Sequence, residues 1–294
     1  MSLALGTPHE GIGAVLLQEP ARLDSETDEA VRQAVREAQE QGLMVLLKPH
    51  IWLRGSWPEE IEMRNRQDWN RFFEYYERWI LHSLRHSSRA SWGVPVLSVG
   101  VELSGATMGH GRQWEKLVHR VRRIYSGSVV YAANWGDEFE SVNFWDAFDY
   151  LGVDAYYPLG NDPDASDEEL RHGADAMLDR IERIQRRYRK LVLFTEIGFA
   201  SAPGVRGRPW DENLGAEPNP TDQLRSYRAV MGAMEDRDWI GGVFWWKWPS
   251  DLRRATRNPR GFMPNGKPVE VLLNRWFQGL NSEWDSDHFT MDSR

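Results

Sequence analysis

Cysteine is absent from the 294 residues of the sequence. Its absence excludes disulfide bonds, a thiol nucleophile and a metal site built on cysteine, and it fits either a reducing or an oxidising compartment. Apolar runs of the roughly 20 residues that a membrane-spanning helix needs are also absent, so we expect no membrane partner. Residues 1–11 lack the basic start and long apolar segment of a signal peptide. The cellular location therefore stays open.

An excess of positive charge is lacking too. The chain has 36 Lys and Arg against 44 Asp and Glu, a net charge of -8. This balance argues against nucleic acid or an anionic membrane surface as a partner. His82 and His86 have a zinc-compatible spacing, but no third ligand pattern accompanies them, so we predict neither a metal nor a cofactor. Aromatic residues are plentiful instead, with 15 Trp, 9 Tyr and 11 Phe, and such rings suit a core or flat ligands such as sugars.

Short apolar runs alternate with helical patterns along the chain. The apolar runs lie at 2–9, 43–50, 95–103, 129–135, 150–158, 191–198 and 241–248. Amphipathic helical patterns include 25–42, 66–86 and 222–236. Near-continuous apolar strands separated by helices predict a parallel sheet that is covered on both faces. Even spacing and the lack of a GxGxxG fingerprint favour an α/β fold of the TIM (β/α)8 barrel class over a doubly wound sheet.

Seven strands are one fewer than a (β/α)8 barrel requires. Either the first β/α unit is missing from this chain, or one strand has been overlooked. Because the run at 2–9 already has strand character from the start of the chain, we favour a truncated or mis-started chain. We predict that residues 1–294 form a single TIM-barrel domain that lacks its first β/α unit, with 280–294 as a C-terminal tail.

Two glutamates occupy predicted strand ends, where (β/α)8 barrels place their reactive groups. Glu102 ends the run at 95–103, and Glu196 ends the run at 191–198. Strand alternation groups Ser98, Gly100 and Glu102 on one face. Two opposed carboxyl groups suit glycoside hydrolysis, because a protonated one can donate to the leaving oxygen while an ionised one attacks the anomeric carbon or activates a water. We therefore predict Glu102 and Glu196 as the catalytic pair.

Other polar and aromatic side chains follow the same strand ends. Histidine, asparagine and tyrosine can hydrogen-bond a sugar, and tryptophan rings can stack on its C–H face. The predicted substrate-binding residues are His50, Trp52, Asn134, Trp135, Tyr156, Trp246 and Trp248. A hydrogen-bonded strand-end histidine and a core tyrosine remain alternatives for His50 and Tyr156. Asp154 is left out of the catalytic pair, because it can serve as a structural partner for Lys48.

Six sequence blocks resemble, in order, those of glycoside hydrolase family 113, the β-mannanases. They are LLKPHIW, VGVELS, YAANW, FWDAFDYLGVDAYYPL, LFTEIGF and FWWKW, and the resemblance runs from about Leu43 to Phe277. It implies a retaining glycoside hydrolase that cleaves β-1,4-linked polysaccharide, with β-mannan favoured, by a two-carboxylate double displacement. Glu102 would be the acid/base and Glu196 the nucleophile. The chain departs from the wider clan at Val101, where an asparagine usually precedes the acid/base.

A non-catalytic, degenerate carbohydrate-binding TIM barrel is the alternative function, and the missing first β/α unit favours it. In both hypotheses the partner is a polysaccharide or oligosaccharide. The choice of β-glycan, endo or exo action and the oligomeric state stay open at this level.

Overall fold

The structure, a computed structural model, describes residues 2–7, 28–53, 56–87, 94–211, 217–248 and 258–278. The strands are β1 (Ser2–Thr7), β2 (Leu46–Leu53), β3 (Val96–Val101), β4 (Ser128–Asn134), β5 (Leu151–Asp154), β6 (Val192–Ile197) and β7 (Ile240–Trp245). The helices are α1 (Asp28–Glu40), α2 (Arg66–Ser87), α3 (Ser104–Thr107), α4 (Gly111–Arg122), α5 (Asp137–Ser141), α6 (Asp167–Tyr188), α7 (Pro220–Met234) and α8 (Pro268–Phe277), with 3-10 turns at Pro58–Glu60 and Trp145–Ala147. Each predicted apolar run overlaps one strand, so the prediction of the strands is confirmed. The predicted tail at 280–294 lies outside the described residues.

The strands form one sheet in which their order follows the chain, from β1 to β7. Each neighbouring pair from β1–β2 to β5–β6 is parallel. Parallel strands that are adjacent both in sequence and in space, with helices in the connections, define the (β/α)8 class. The predicted fold class is confirmed, with seven strands in the described part of the chain.

The described residues fall into two compact units. The first contains the described parts of Met1–Ala155, Asp179–Ile197 and Arg237–Phe244. The second contains those of Tyr156–Leu178, Gly198–Asp236 and Trp245–Arg294. The first unit therefore holds the sheet. That residues 1–294 act as one domain stays a prediction.

The core of the first unit lies on both faces of its strands. Leu46, Val96, Val130 and Leu193 pack together from four strands. An aromatic layer faces the helices, where the buried ring of Trp114 meets Tyr131 edge-on at 5.0 Å. Every residue of β3 and of β6 is buried, which is why these segments read as continuous apolar runs.

The pairing of β3 with β4 shifts by one residue between Ser98 and Val101. An extra residue on one strand interrupts the alternation of side chains between the two faces. Strict alternation, which would place Ser98, Gly100 and Glu102 on one face of the strand, therefore does not hold across this irregularity.

The pairing of β6 with β5 contains a second shift, because Val153 pairs with Phe194 whereas the next residue, Asp154, pairs with Glu196. Thr195 is the extra residue, so it need not face away from Glu196 as regular alternation would require.

The second unit is held by aromatic packing and by hydrogen bonds to its main chain. The ring of Tyr227 on α7 stacks on Trp245 at 4.7 Å. Gln223 donates from Nε2 to the carbonyl oxygens of Phe199 and Phe262, at 2.9 and 3.1 Å. The peptide bond between Trp246 and Lys247 is cis. Among the described helices of the whole chain, none is both long enough and apolar enough to cross a membrane.

Candidate active site

Glu102 lies directly after β3, where it is half-buried. Its backbone N–H donates to the carbonyl oxygen of Ala132 on β4 at 2.9 Å. Its φ of 50° lies in the left-handed region, where a non-glycine residue costs about 1–2 kcal/mol. Strain of this kind persists only where surrounding contacts fix the backbone, and it concentrates at functional positions.

Glu196 lies within β6 and is 8% exposed. Its carbonyl oxygen accepts a hydrogen bond from the N–H of Ala155 at 2.7 Å, which ties this part of β6 to the end of β5. The carboxylate that the sequence placed at a strand end is thus buried and needs a partner.

Lys48 on β2 supplies that partner. Its Nζ lies 2.5 Å from Oε1 of Glu196 and 2.8 Å from each carboxylate oxygen of Asp154. Lys48 and Asp154 are 4% and 0% exposed, so the cluster of Lys48, Asp154 and Glu196, which we call the lysine cluster, is shielded from water. Thr195 adds a hydrogen bond from Oγ1 to Oδ1 of Asp154 at 2.7 Å. The hypothesis that Asp154 is a structural partner of Lys48 is confirmed.

The lysine cluster contains one cationic group and two acidic groups, and their charges act on Glu102. Burial is the largest cause that raises the pKa of Glu102 well above its ordinary value, and the charges of Asp154 and Glu196 raise it further while Lys48 opposes them. Burial also raises the pKa of Asp154. Burial lowers the pKa of Lys48, but the neighbouring carboxylates outweigh this effect and the pKa is raised overall. Glu102 is therefore suited to donate a proton, whereas the carboxylate of Glu196 lies against an ammonium group.

His50 follows Lys48 by two residues on β2 and is a neutral donor or acceptor. Burial lowers the pKa of His50 to about 4, and the charge of Lys48 lowers it in the same direction. Its buried Nε2 atom has no hydrogen-bond partner among the described residues. Since buried polar atoms are normally paired, this nitrogen is a candidate contact for a ligand.

Asn134 and Trp135 lie at the end of β4, and both are half-buried. Asn134 donates from Nδ2 to Oε2 of Glu59 at 2.5 Å, so its amide is held by the 3-10 turn that precedes α2. The same strand end thus presents one polar and one aromatic side chain next to each other, and their role in sugar binding stays a prediction.

The remaining predicted binding residues lie elsewhere in the described chain or outside it. The side chain of Trp52 is outside the described residues. In the second unit, the buried ring of Tyr156 packs edge-on against Phe262 at 6.1 Å. Trp246 is half-buried with Nζ of Lys247 5.5 Å from its ring centre, and Trp248 is 51% exposed. The roles of these residues stay predictions.

Sequence reasoning missed a buried acidic residue on α5. Glu138 is 5% exposed and accepts hydrogen bonds from the hydroxyl of Tyr131 at 2.6 Å and from the N–H of Asn134 at 2.7 Å. Burial raises the pKa of Glu138 to about 7, against the effect of these hydrogen bonds. The only signal in the sequence is an acidic residue three positions after the predicted run at 129–135, in a stretch that otherwise resembles a solvated loop.

Within the described residues, no group of three or more His, Cys, Asp or Glu side chains could hold a metal ion. The first unit instead combines a parallel sheet of the (β/α)8 class with two glutamates of opposite character, one that holds a proton and one beside a cation. This fold and this pair define the class of TIM-barrel glycosidases, which use an acid and a second carboxylate for glycosyl transfer.

Comparison with known proteins gives the family. The model of Glycoside Hydrolase Family 113 matches residues 21–267. The solved structure of the GH113 β-mannanase AaManA from Alicyclobacillus acidocaldarius, in complex with ManMIm, is 28% identical with a TM-score of 0.76, covering 86% of this chain and 79% of that chain. A complex structure of a GH113 β-1,4-mannanase is 25% identical with a TM-score of 0.78, covering 94% of this chain and 86% of that chain. In a search of curated proteins, no sequence matches.

More distant structures share the fold alone. A structure of fungal β-1,4-galactanases is 17% identical with a TM-score of 0.56, covering 82% of this chain and 78% of that chain. The chain belongs to glycoside hydrolase family 113. It is a glycoside hydrolase, and its substrate is a carbohydrate.

Proposed function

We propose that the chain cleaves β-1,4-linked mannan with retention of configuration at the anomeric carbon. The observation that carries this proposal is the contrast between the two glutamates. Burial and the charges of Asp154 and Glu196 raise the pKa of Glu102, whereas Glu196 lies 2.5 Å from the ammonium of Lys48. One carboxyl group is thus suited to donate a proton, and the other is suited to attack as an anion.

The reaction takes two steps. In the first, Glu196 attacks the anomeric carbon through a carboxylate oxygen while Glu102 gives its proton to the leaving oxygen, which departs as a hydroxyl group. In the second, Glu102 removes a proton from a water molecule, the water oxygen attacks the anomeric carbon, and the bond to Glu196 breaks. Each glutamate returns to its starting protonation state.

The two GH113 relatives that are 25–28% identical to this chain are β-mannanases, which favours β-mannan among β-1,4-glycans. Val101 is 2% exposed and apolar, so this position supplies no hydrogen bond to a sugar hydroxyl. His50, whose buried Nε2 has no partner among the described residues, and Asn134 are the polar groups of the first unit that we assign to sugar binding. Trp135 is the ring that we assign to stacking at the same strand end.

Activity and stereochemistry test the proposal together. Glu102→Gln and Glu196→Gln should each abolish hydrolysis of β-1,4-mannan, because one removes the proton donor and the other the nucleophile. Glu140→Gln is the matched control, since Glu140 pairs with Arg180 at 2.6 Å away from the lysine cluster, and it should keep full activity. Proton NMR of the first products should show the β-anomer. An α-anomer as first product, or binding of mannan without turnover by the unsubstituted chain, would contradict the proposal.

A further inference from the structure

The N–H that follows Glu102 has an uncommon partner. Leu103 is 1% exposed, and its backbone N–H donates to the hydroxyl oxygen of Tyr131 at 2.8 Å. The N–H of Glu102 itself donates to the carbonyl oxygen of Ala132, the next residue of β4. Both amide groups that flank the Cα of Glu102 are therefore tied to two adjacent residues of β4, one through the main chain and one through a side chain.

Glu138 sets the direction of the Tyr131 hydroxyl. A tyrosine hydroxyl has one proton, and here it donates to Oε1 of Glu138 at 2.6 Å. The hydroxyl oxygen of Tyr131 can then only accept a further hydrogen bond, and it accepts one from the N–H of Leu103. If the hydroxyl proton pointed toward Leu103 instead, the buried N–H of Leu103 would lose its acceptor, which is unfavourable for a buried donor.

Glu138 is held by two further donors. The backbone N–H of Asn134 donates to Oε2 at 2.7 Å, and Oγ1 of Thr107 lies 3.1 Å from Oε1. Thr107 belongs to α3, the short helix that starts two residues after Glu102. The carboxylate thus joins the end of β4 to the segment that follows the acid/base, and it does so without joining the lysine cluster.

The ring of Tyr131 is also fixed. A Cβ atom at Gly100 would lie 2.5 Å from Cε2 of Tyr131 and 2.7 Å from Cη2 of Trp114, so the strand that leads to Glu102 has no side chain where these rings lie. Tyr131 is 0% exposed. Its hydroxyl can therefore act as a rigid anchor rather than as a mobile surface group.

We propose that Tyr131 and Glu138 are positioning residues for the acid/base: through the N–H of Leu103 they hold Glu102 in its strained backbone conformation, so that its carboxyl group is aimed at the leaving oxygen. This inference rests on the proposed function of Glu102. It adds two residues that do not touch the substrate but that control proton donation in the first step.

The dependence of the rate on the leaving group separates positioning from general structural support. Cleavage of a β-1,4-mannooligosaccharide needs a proton on the leaving oxygen, whereas cleavage of a 2,4-dinitrophenyl β-mannoside does not. Tyr131→Phe and Glu138→Gln should each lower kcat/KM for the oligosaccharide about 10- to 100-fold, below the full 10²–10⁴-fold effect of general acid catalysis. Their rates of glycosyl-enzyme formation from the aryl mannoside, followed by release of dinitrophenol in single turnovers, should change less than about threefold.

Tyr125→Phe is the matched control. Tyr125 is also a buried tyrosine whose hydroxyl donates to a main-chain oxygen, that of Val94 at 2.7 Å, ahead of the start of β3. The Tyr125→Phe variant loses a comparable hydrogen bond, and its rates on the two substrates should change equally. Equal loss on both substrates for Tyr131→Phe and Glu138→Gln, or no loss on either, would overturn the inference. Glu138→Gln keeps the side-chain shape and carries the test if Tyr131→Phe does not fold.

Two further measurements separate this inference from the proposed function. If Glu102→Gln leaves oligosaccharide cleavage intact, the assignment of Glu102 is wrong. If Glu102→Gln loses oligosaccharide cleavage while the variants at Tyr131 and Glu138 do not, only the positioning inference is wrong. Amide hydrogen exchange of Leu103 needs no activity: it should be at least about tenfold faster in Tyr131→Phe than in Tyr125→Phe, since the donor loses its buried acceptor. Unchanged exchange would also overturn the inference.

Discussion

The ammonium of Lys48 lies 2.5 Å from Oε1 of Glu196, and both residues are buried. The same ammonium contacts both oxygens of Asp154 at 2.8 Å, so one cation serves two carboxylates. A buried group of this kind is sensitive to the loss of any member, because the remaining charges cannot be solvated by water. The first two predictions follow from this dependence.

Lys48→Met should leave Asp154 and Glu196 without their shared cation. Removing one partner of a buried ion pair costs about 3–5 kcal/mol, so urea should unfold the variant at a lower concentration. Lys48 also lowers the pKa of Glu102, so without this cation that pKa should rise further and the basic limb of the kcat/KM profile should move to higher pH.

Two variants serve as controls for this prediction. Lys48→Arg keeps the charge, so it should lose activity through altered geometry while its basic limb stays in place. Lys190→Met removes a lysine that donates to the carbonyl oxygens of Trp145 and Asp146, and it should leave the profile unchanged. An unshifted basic limb in Lys48→Met would show that the ammonium does not act on the pKa of Glu102.

Asp154→Asn should move the basic limb of the kcat/KM profile to lower pH. Burial is the largest cause that raises the pKa of Glu102, and the charge of Asp154 is the second largest. The charges of Glu196 and Glu138 act in the same direction, and that of Lys48 acts against them. Removing a negative charge favours the ionised form of Glu102, so its pKa falls and the acid loses its proton at a lower pH. The measurement is the pH dependence of oligosaccharide hydrolysis.

Asp149→Asn is the control for this shift. Asp149 pairs with Arg122 at 2.9 Å. The charges that shift the pKa of Glu102 are those of Asp154, Glu196, Glu138 and Lys48, and Asp149 is not among them. Its basic limb should coincide with that of the unsubstituted chain. A limb that moves to higher pH in Asp154→Asn would contradict the assignment of Glu102 as the acid.

Gly100→Ala should destabilise the first unit. The added Cβ would lie 2.5 Å from the ring of Tyr131, a distance that real Cβ contacts do not show, and both neighbouring rings are buried. Overpacking of this kind costs about 1–3 kcal/mol, measurable as a lower urea midpoint. Gly242→Ala on β7 is the control, because among the described residues its Cβ would meet the flexible end of Leu193 alone, at 3.2 Å. Equal stability of the two variants would show that the Tyr131 ring can move aside.

The strands and the two glutamates could be predicted because their signals are local. A strand buried on both faces must be apolar throughout, so β3 and β6 stand out in the sequence, and a carboxylate at the end of such a run is rare enough to suggest a role. The partnership of Lys48 and Asp154 was also within reach, since both residues are charged and lie in apolar runs.

The contacts that arrange the site could not be predicted from local pattern. The register shifts in β3 and β6 are properties of strand pairs, and neither strand alone shows them. They explain why Thr195, whose side chain strict alternation places opposite to that of Glu196, reaches Asp154 within the lysine cluster. Glu138 escaped notice for a related reason: its partners Tyr131 and Thr107 become neighbours only when β4 and α3 are in place.

The two register shifts also separate the orientation of the two glutamates from the orientation of the strand residues before them. Each occurs one or a few residues before a glutamate, between Ser98 and Val101 for Glu102 and between Phe194 and Glu196 for Glu196. The direction in which the strand residues before each shift point is thereby uncoupled from the direction of the glutamate that follows, for which we propose a catalytic role. Substitutions in the parts of β3 and β6 before each shift can then accumulate without changing the direction of either glutamate side chain. The sequence of the sheet can therefore diverge while the two glutamates keep their orientation.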